Sequence, residues 1–452
     1  MIRFELNKAA SITGGRLHRC PAGSGPEAFD GMTQDTRVLK RGNLYAALQG
    51  ERVDGHRFID DAAGKGAAAA LVSRQVDAAI AQIVVDDVVQ AMGALARAWR
   101  QALQVQVAAI TGSNGKTTVK TMLAAILRRS APTLATRGNY NNEIGVPLTL
   151  AALGEQHRFG VIEMGCGKPG DIEYLTTLAG PDVGIVTNAG PAHLERLGSI
   201  DGVARTKGEL FAALGAGQVA VINRDDDFFQ YWRGLCTDSR QISFGRSDKA
   251  DVRLEQDGGA EVVVTPSGRF ELKLALPGEH NRMNALAASA GALALGVEVE
   301  MIAAGLAEVD SLPGRLAERE MSGGWRLIDD SYNANPASLY AGLQVLAARP
   351  GNRWLALGEM AELGDYSTRL HREIGCAARD LGIARLFVIG AHAEAAAHAF
   401  GPGGEAFADL ESMSARMQAL LESDVVCLVK GSRSSHMERL IDRLQAAGVT
   451  SC

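Results

Sequence analysis

The run Gly112-Ser113-Asn114-Gly115-Lys116-Thr117, followed by Thr118, carries the first recognisable chemistry in the chain. Glycines let the backbone aim its N–H groups inward, a lysine adds a cation, and a threonine hydroxyl can hold Mg²⁺; together they grip nucleotide phosphates at the start of a helix. The spacing is a variant, because G-x-x-x-x-G-K-[ST] requires glycine at position 110 and the chain has Ile110. Its flanks support the reading: Val105, Val107 and Ile110 suit a buried strand, and Val119, Met122, Leu123, Ile126 and Leu127 recur at helical spacing. A Gly-rich strand-to-helix turn without a ligand is the alternative.

Other reactive groups follow at intervals. Glu163 closes the apolar run FGVIEMG, at the carboxyl end of a strand, so it can bind Mg²⁺ or cap the next helix. His193 follows a further strand, VGIVTNAG, and by itself is either a metal ligand or structural. Asn139, Asn141 and Asn142 crowd a turn near the phosphate loop in sequence, which suits a turn or a substrate pocket. Asn281 and Asn284 share one helix face, where an amide can read an adenine edge. Lys207 lies in a helix from Ile200 to Phe211, and its local pattern reads as a solvated charge. The acidic turn Arg224-Asp225-Asp226-Asp227 lacks calcium-loop spacing and also reads as solvated.

The elements that must hold these groups are strands alternating with helices. A first unit, residues 1–83, mixes short polar turns with short strands; Thr33, Asp35, Thr36 and Arg37 can meet a sugar or uracil edge, and His56 a phosphate, or all can be turn residues. The pattern from Asp86 to Ala102 predicts an amphipathic helix opened by two aspartates. Residues 251–276 alternate as a small antiparallel insert. After the Pro-Gly turn at 313–314, a second strand-helix alternation implies another parallel sheet, with Asp330, Asn333, Asn335, Glu359, Lys430 and Arg433 at strand ends. Ser435 and Glu438 match a capping box for the closing helix.

Composition bounds the reading. At 452 residues the chain exceeds one ordinary core, and 46% hydrophobic with 5% aromatic residues suits α/β architecture. A net charge of -6 argues against broad nucleic-acid binding. Six scattered cysteines without a C-x-x-C pair fit a reduced compartment, and the absence of a signal core or an 18-residue apolar run predicts a cytoplasmic protein without membrane insertion.

TGSNGKTT, EMG, NAGPAHLE, ARTKGELF, GEHNRMNALAA, LPGR and DDSYNANPAS follow one another in an order that resembles the Mur ligase family of ATP-dependent amide-bond-forming enzymes. The resemblance covers nearly the whole chain. It implies an α/β fold of three domains: residues 1–83, a small N-terminal α/β uridine-nucleotide-binding domain; residues 84–312, a central ATP-binding domain with a P-loop-type, mostly parallel sheet; and residues 313–452, a C-terminal Rossmann-like domain that helps hold ATP and dipeptide.

The resemblance also implies roles. Lys116 binds ATP phosphates within the loop Gly112 to Thr118, and Thr117 with Glu163 holds one Mg²⁺. His193 and a Lys207 carbamylated by CO₂ hold a second Mg²⁺. Asn281 faces adenine, Asp330 the ribose and Arg315 the γ-phosphate. Thr33, Asp35, Thr36, Arg37, Asn139, Asn141, Asn142, Asn333 and Asn335 face the other substrates. GNYNNEIGVPLTL, DSYNANPAS, LGEMAELGD and VKGSRSSHMERLI are most similar to members that add D-alanyl-D-alanine to UDP-N-acetylmuramoyl-tripeptide, and no D-N-P-R stretch of the diaminopimelate- or lysine-adding relative occurs. The implied partners are ATP and those two substrates, with no nucleic acid and a monomer as the working expectation. Competing readings are a muropeptide-recycling or folylpolyglutamate-type relative, a P-loop kinase or GTPase, and a noncatalytic nucleotide-dependent binding protein.

Overall fold

The computed structural model describes residues 1–18, 26–310 and 312–449; Cys20 and Cys452 lie outside them. Among the described residues three larger sheets and one two-stranded ribbon form. The fold is α/β, with mixed, mostly parallel sheets.

The central sheet has the spatial order Gly268–Glu271, Ala260–Thr265, Val252–Asp257, Arg240–Gly245, Val219–Asn223, Val183–Val186, Gln106–Thr111, Phe159–Glu163, Thr133–Ala135. Gln106–Thr111 is parallel to both neighbours and covered on both faces. Side chains two apart share a face: Ala108 and Ile110 pack with Val119, Leu123 and Leu286, whereas Val107 and Ala109 pack with Leu210, Phe211 and Trp232. This explains the nearly continuous apolar run before the phosphate loop. Of the three strands from Val252 onward each is antiparallel to the next, and Val252–Asp257 pairs in parallel with Arg240–Gly245, so the antiparallel segment continues the central sheet.

The N-terminal sheet orders Arg16–His18, Ala81–Val84, Ala69–Val72, Leu44–Ala46 and Met32–Thr33. The helix Val88–Ala102 begins where Asp87 accepts hydrogen bonds from the N–H groups of Val89 and Gln90. Its Val88, Ala91, Met92 and Leu95 join the N-terminal core, and its Ala96 joins the central core. One amphipathic helix therefore fastens the two units.

The third sheet orders Ala317–Glu320, Arg326–Asp330, Val425–Lys430, Asn352–Leu357, Arg385–Ile389 and Gly404–Phe407, parallel after its first strand. The helix Pro336–Ala347 carries a full capping box between Asn335 and Ser338. Ser435 forms none: it ends a 3₁₀ turn and its hydroxyl donates to the Glu359 carbonyl at 3.1 Å, so tertiary contact takes the group that local spacing assigns to a cap.

Candidate active site

The phosphate loop joins Gln106–Thr111 to the helix Lys116–Ser130. Glycine is required at both bends. Gly112 (φ +151°) leaves only 1.8 Å between an added Cβ and Thr187 Oγ1, and Gly115 (φ +82°) only 2.2 Å to Asn284 Oδ1. The residues after the strand Val183–Val186 brace the loop: Asn188 Oδ1 accepts from Asn114 N at 3.0 Å, and the Ser113 hydroxyl donates to Gly190 O at 3.1 Å. Sequence reading missed Thr187 and Asn188, whose only local signal is their place at a strand end. The half-buried Lys116 ammonium folds back onto the Gly112 carbonyl. Burial first, and then the positive charge of Lys207, push its pKa down to about 8.

Glu163 sits beneath the loop, 2% exposed. Asn141 Nδ2 donates to Oε1 at 2.8 Å, and the Thr136 hydroxyl accepts from the Glu163 N–H at 2.9 Å. Lys120 Nζ lies 3.0 Å from Oε2 but off hydrogen-bond alignment, so that oxygen has an ionic neighbour without a directed donor. Burial pushes the carboxyl pKa up; Lys120, Lys116 and the Asn141 amide outweigh it and hold it below the ordinary value. Lys120 was also missed, although it stands one turn after Lys116 and hence on the same helix side. Its Nζ also donates to Gly138 O at 3.1 Å, which ties the asparagine turn to the loop helix. Asn139 contributes its carbonyl to that turn, and Asn142 Oδ1 accepts from Gly145 N at 2.9 Å.

Lys207 departs from its expected solvated position. The helix Ile200–Ala212 buries it with Val203, Leu210 and Phe211, and its Nζ faces Cys166 Sγ at 3.7 Å. The acidic turn is likewise structural: Asp226 accepts from Ala189 N at 2.9 Å, and Asp225 accepts from Ser247 N at 3.1 Å. His56 is buried between Asp54 and Ser73, with Nδ1 2.7 Å from Asp54 Oδ1, a bracing role within the first sheet.

The third sheet supplies the opposite wall. Arg315 Nη2 donates to Thr117 Oγ1 at 2.9 Å, and Asn335 Nδ2 donates to Asn114 Oδ1 at 2.8 Å. Lys430 Nζ lies 2.5 Å from Asp330 Oδ2 and 3.0 Å from the Asn333 carbonyl. Burial drives the Asp330 carboxyl upward, against the pull of Lys430. Asn281 Nδ2 donates to Pro277 O at 2.7 Å, and Asn284 donates to Asn281 Oδ1 at 3.2 Å. His193 Nδ1 pairs with Glu362 Oε2. Among the described residues no three His, Cys, Asp or Glu side chains form a ready metal cluster.

A cavity of about 1470 Å³ brings together Ser113 to Thr118, Asn139, Asn141, Asn142, Glu163, His193, Asn281, Arg315, Asp330, Asn333 and Asn335. Gly112 and Lys207 are not among the residues that line it. Thr33, Asp35, Thr36 and Arg37 are apart from it: Arg37 pairs with Asp35 at 2.7 Å, the Asp35 N–H donates to the Thr33 hydroxyl at 3.2 Å, and Lys65 takes the Thr36 carbonyl at 3.1 Å. A cavity lined by the start of the helix Lys116–Ser130, by Lys116 and Lys430, by the shielded Glu163 carboxylate and by Arg315 from beyond the central sheet can bind a polyphosphate and hold a second anion against it.

Three family models match in succession: "Mur ligase family, catalytic domain" over residues 28–109, "Mur ligase middle domain" over 110–292 and "Mur ligase, glutamate ligase domain" over 314–433. The UDP-N-acetylmuramoyl-tripeptide--D-alanyl-D-alanine ligase of Escherichia coli K12 is 40% identical, over 99% of this chain and 100% of that relative. The crystal structure of MurF from Acinetobacter baumannii superposes with a TM-score of 0.90 at 35% identity, covering 98% of this chain and 99% of that one. MurF ligase from Thermotoga maritima, solved in complex with ADP, superposes with a TM-score of 0.82 at 27% identity, covering 94% and 99%.

Proposed function

The chain belongs to the Mur ligase family, and on that premise we infer that it is an ATP-dependent ligase joining D-alanyl-D-alanine to UDP-N-acetylmuramoyl-tripeptide. ATP is consumed and ADP and phosphate are released, in peptidoglycan precursor synthesis. The carrying observation is that Arg315, from beyond the central sheet, meets the phosphate loop at Thr117 within one cavity.

The chemistry follows from charge. A carboxylate is a poor electrophile, and it repels the ATP γ-phosphate. Lys116 and Arg315 lie where they can offset both charges. A carboxylate oxygen of the tripeptide attacks the γ-phosphorus, the bond to the ADP oxygen breaks, and an acyl phosphate results. The dipeptide amine then adds to the acyl carbon, and the tetrahedral adduct collapses with loss of phosphate. Closing the outer domains excludes water that would otherwise hydrolyse the acyl phosphate.

Divisions at residues 83 and 312 are assigned as the hinges between units 1–83, 84–312 and 313–452. Small-angle scattering unchanged by nucleotide plus muropeptide would count against closure. Thr33, Asp35, Thr36 and Arg37 are assigned to the uridine nucleotide, Asn281 to adenine, Asp330 to ribose, and Asn139, Asn141, Asn142, Asn333 and Asn335 to the joined substrates. Acting on such precursors, the enzyme is placed in the cytoplasm.

The site fits divalent cations. Glu163 Oε2 is a buried oxygen without a directed donor, and the Thr117 hydroxyl opens on the same cavity, so these two would hold one Mg²⁺. Bound Mg²⁺ supplies charge neutralisation between carboxylate and phosphate. Lys207 fits conversion to a carbamate: a buried ammonium facing a thiol at 3.7 Å is poorly compensated, and CO₂ would replace that cation, beside Lys116, with an anion. Carbamylated Lys207 and His193 would then hold a second Mg²⁺.

ADP release measured with UDP-N-acetylmuramoyl-tripeptide, with and without D-alanyl-D-alanine, tests the reaction together with mass spectrometry of the product. Dipeptide-dependent ADP and a joined pentapeptide product are expected. A stable phosphorylated product with no joined peptide would identify a kinase instead.

A further inference from the structure

Among the described residues the non-glycine positions with left-handed backbone are His193 (φ +56°), Leu316 (+54°), Glu362 (+62°) and His436 (+50°). That conformation is strained for a residue with a Cβ, and persists where surrounding contacts hold it. Two of the four face each other across the boundary between the central and third sheets. His193 opens the short helix Leu194–Leu197, and Glu362 lies in the turn after Asn352–Leu357.

Three contacts define the pairing. Glu362 Oε2 meets His193 Nδ1, and the Glu195 N–H donates to the Glu362 carbonyl at 3.3 Å. Gly364, itself at φ +55°, lies so close that an added Cβ would stand 3.4 Å from Glu195 Cα. The loop is therefore docked by backbone as well as by side chains.

An ionised carboxylate can only accept a hydrogen bond, so in a neutral His193 the proton of this pair sits on Nδ1 and Nε2 keeps its lone pair. His193 lines the cavity. We propose that Glu362 is a positioning residue that fixes the Nδ1–H tautomer of His193 and leaves Nε2 as the metal-ligating nitrogen. A carboxylate behind a ligating imidazole orients the ring and strengthens it as a donor. Because Glu362 comes from the third sheet, the His193 metal position is complete only when that domain is docked on the central one. Domain closure and metal binding are thereby made one event. The inference rests on the assignment of His193 to Mg²⁺ made above.

The test uses the full chain with Mn²⁺ as a paramagnetic probe, β,γ-methylene-ATP and UDP-N-acetylmuramoyl-tripeptide, and counts bound Mn²⁺ by electron paramagnetic resonance. Glu362→Ala is expected to weaken the His193-dependent class of Mn²⁺ about 10- to 100-fold, with an unchanged unfolding midpoint. Glu362→Gln, which still offers an acceptor oxygen, is expected to recover part of that loss. Wild-type Mn²⁺ binding by Glu362→Ala, while His193→Ala loses one class, would overturn the proposal and leave the metal role of His193 standing. Wild-type Mn²⁺ binding by His193→Ala would remove that role itself, and the proposal with it.

Discussion

Arg315 bridges two units of the molecule: its Nη2 donates to the Thr117 hydroxyl at 2.9 Å, while its guanidinium stacks 4.3 Å from the centre of the Tyr332 ring. The stack holds the planar fork at the phosphate loop, where a flexible lysine would lose both the fork geometry and the stack. Arg315→Ala is expected to lower kcat by about 10²–10³-fold, the usual loss for one transition-state donor, and Arg315→Lys to restore only part. Tyr332→Leu should cost less, about 0.5–2 kcal/mol of stacking. Steady-state ADP release distinguishes the three variants, and wild-type turnover by Arg315→Ala would exclude the γ-phosphate role.

The buried ion pair of Lys120 and Glu163 makes a stability test. Lys120→Met leaves the carboxylate without its closest cation, at a cost of about 3–5 kcal/mol, and adding Glu163→Gln should return most of it. Urea unfolding of the two singles and the double gives the coupling. Glu163 also sets a pH dependence: its folded pKa is depressed, so its contribution is present above the unfolded value of 4.5 and fades as pH falls through the lower folded one. In Lys120→Met the folded pKa rises toward the unfolded one, so that acid-side loss is expected to shrink.

Lys116 makes nucleotide binding a proton-uptake reaction. Burial and then Lys207 bring its folded pKa to about 8, so the free protein has lost much of this charge at about pH 8.5, where phosphates would draw the proton back. Calorimetry of ADP binding at about pH 8.5, in buffers of different ionisation enthalpy, should show net uptake that vanishes near pH 6. Lys207 is a neighbouring cation only before carbamylation, so added CO₂, by turning it into an anion, should shrink the uptake. For stability the sign is opposite to an acid pair: the penalty is full below the folded pKa and is relieved as pH rises from about 8 toward the unfolded 10.5.

The carbamate assignment at Lys207 has its own signature. Lys207→Ala is expected to lose about 10²–10³-fold in turnover and to recover some with millimolar acetate or propionate, whose carboxylate can enter the vacated space. Wild-type turnover without rescue would remove the carbamate role.

Much of the fold and the centre of the site were legible in the sequence, because both rest on short-range pattern. A strand whose successive residues are nearly all apolar must be covered on both faces, and a glycine pair before a lysine at a helix start predicts a turn that only glycine can make. The bend at Gly112 follows such a local rule. What the sequence could not show is which polar side chain a distant element covers. The helix pattern around Lys207 reads as solvated, yet the residue is 1% exposed. Ser435 satisfies a local capping pattern but is drawn to Glu359. The decisive contacts span the chain: His193 with Glu362 is 169 residues apart, Arg315 with Thr117 198, and Asn335 with Asn114 221. Periodicity tells which face of an element is apolar, but burial, tautomer and charge at a site depend on what packs against that face, and that is decided only when the sheets come together.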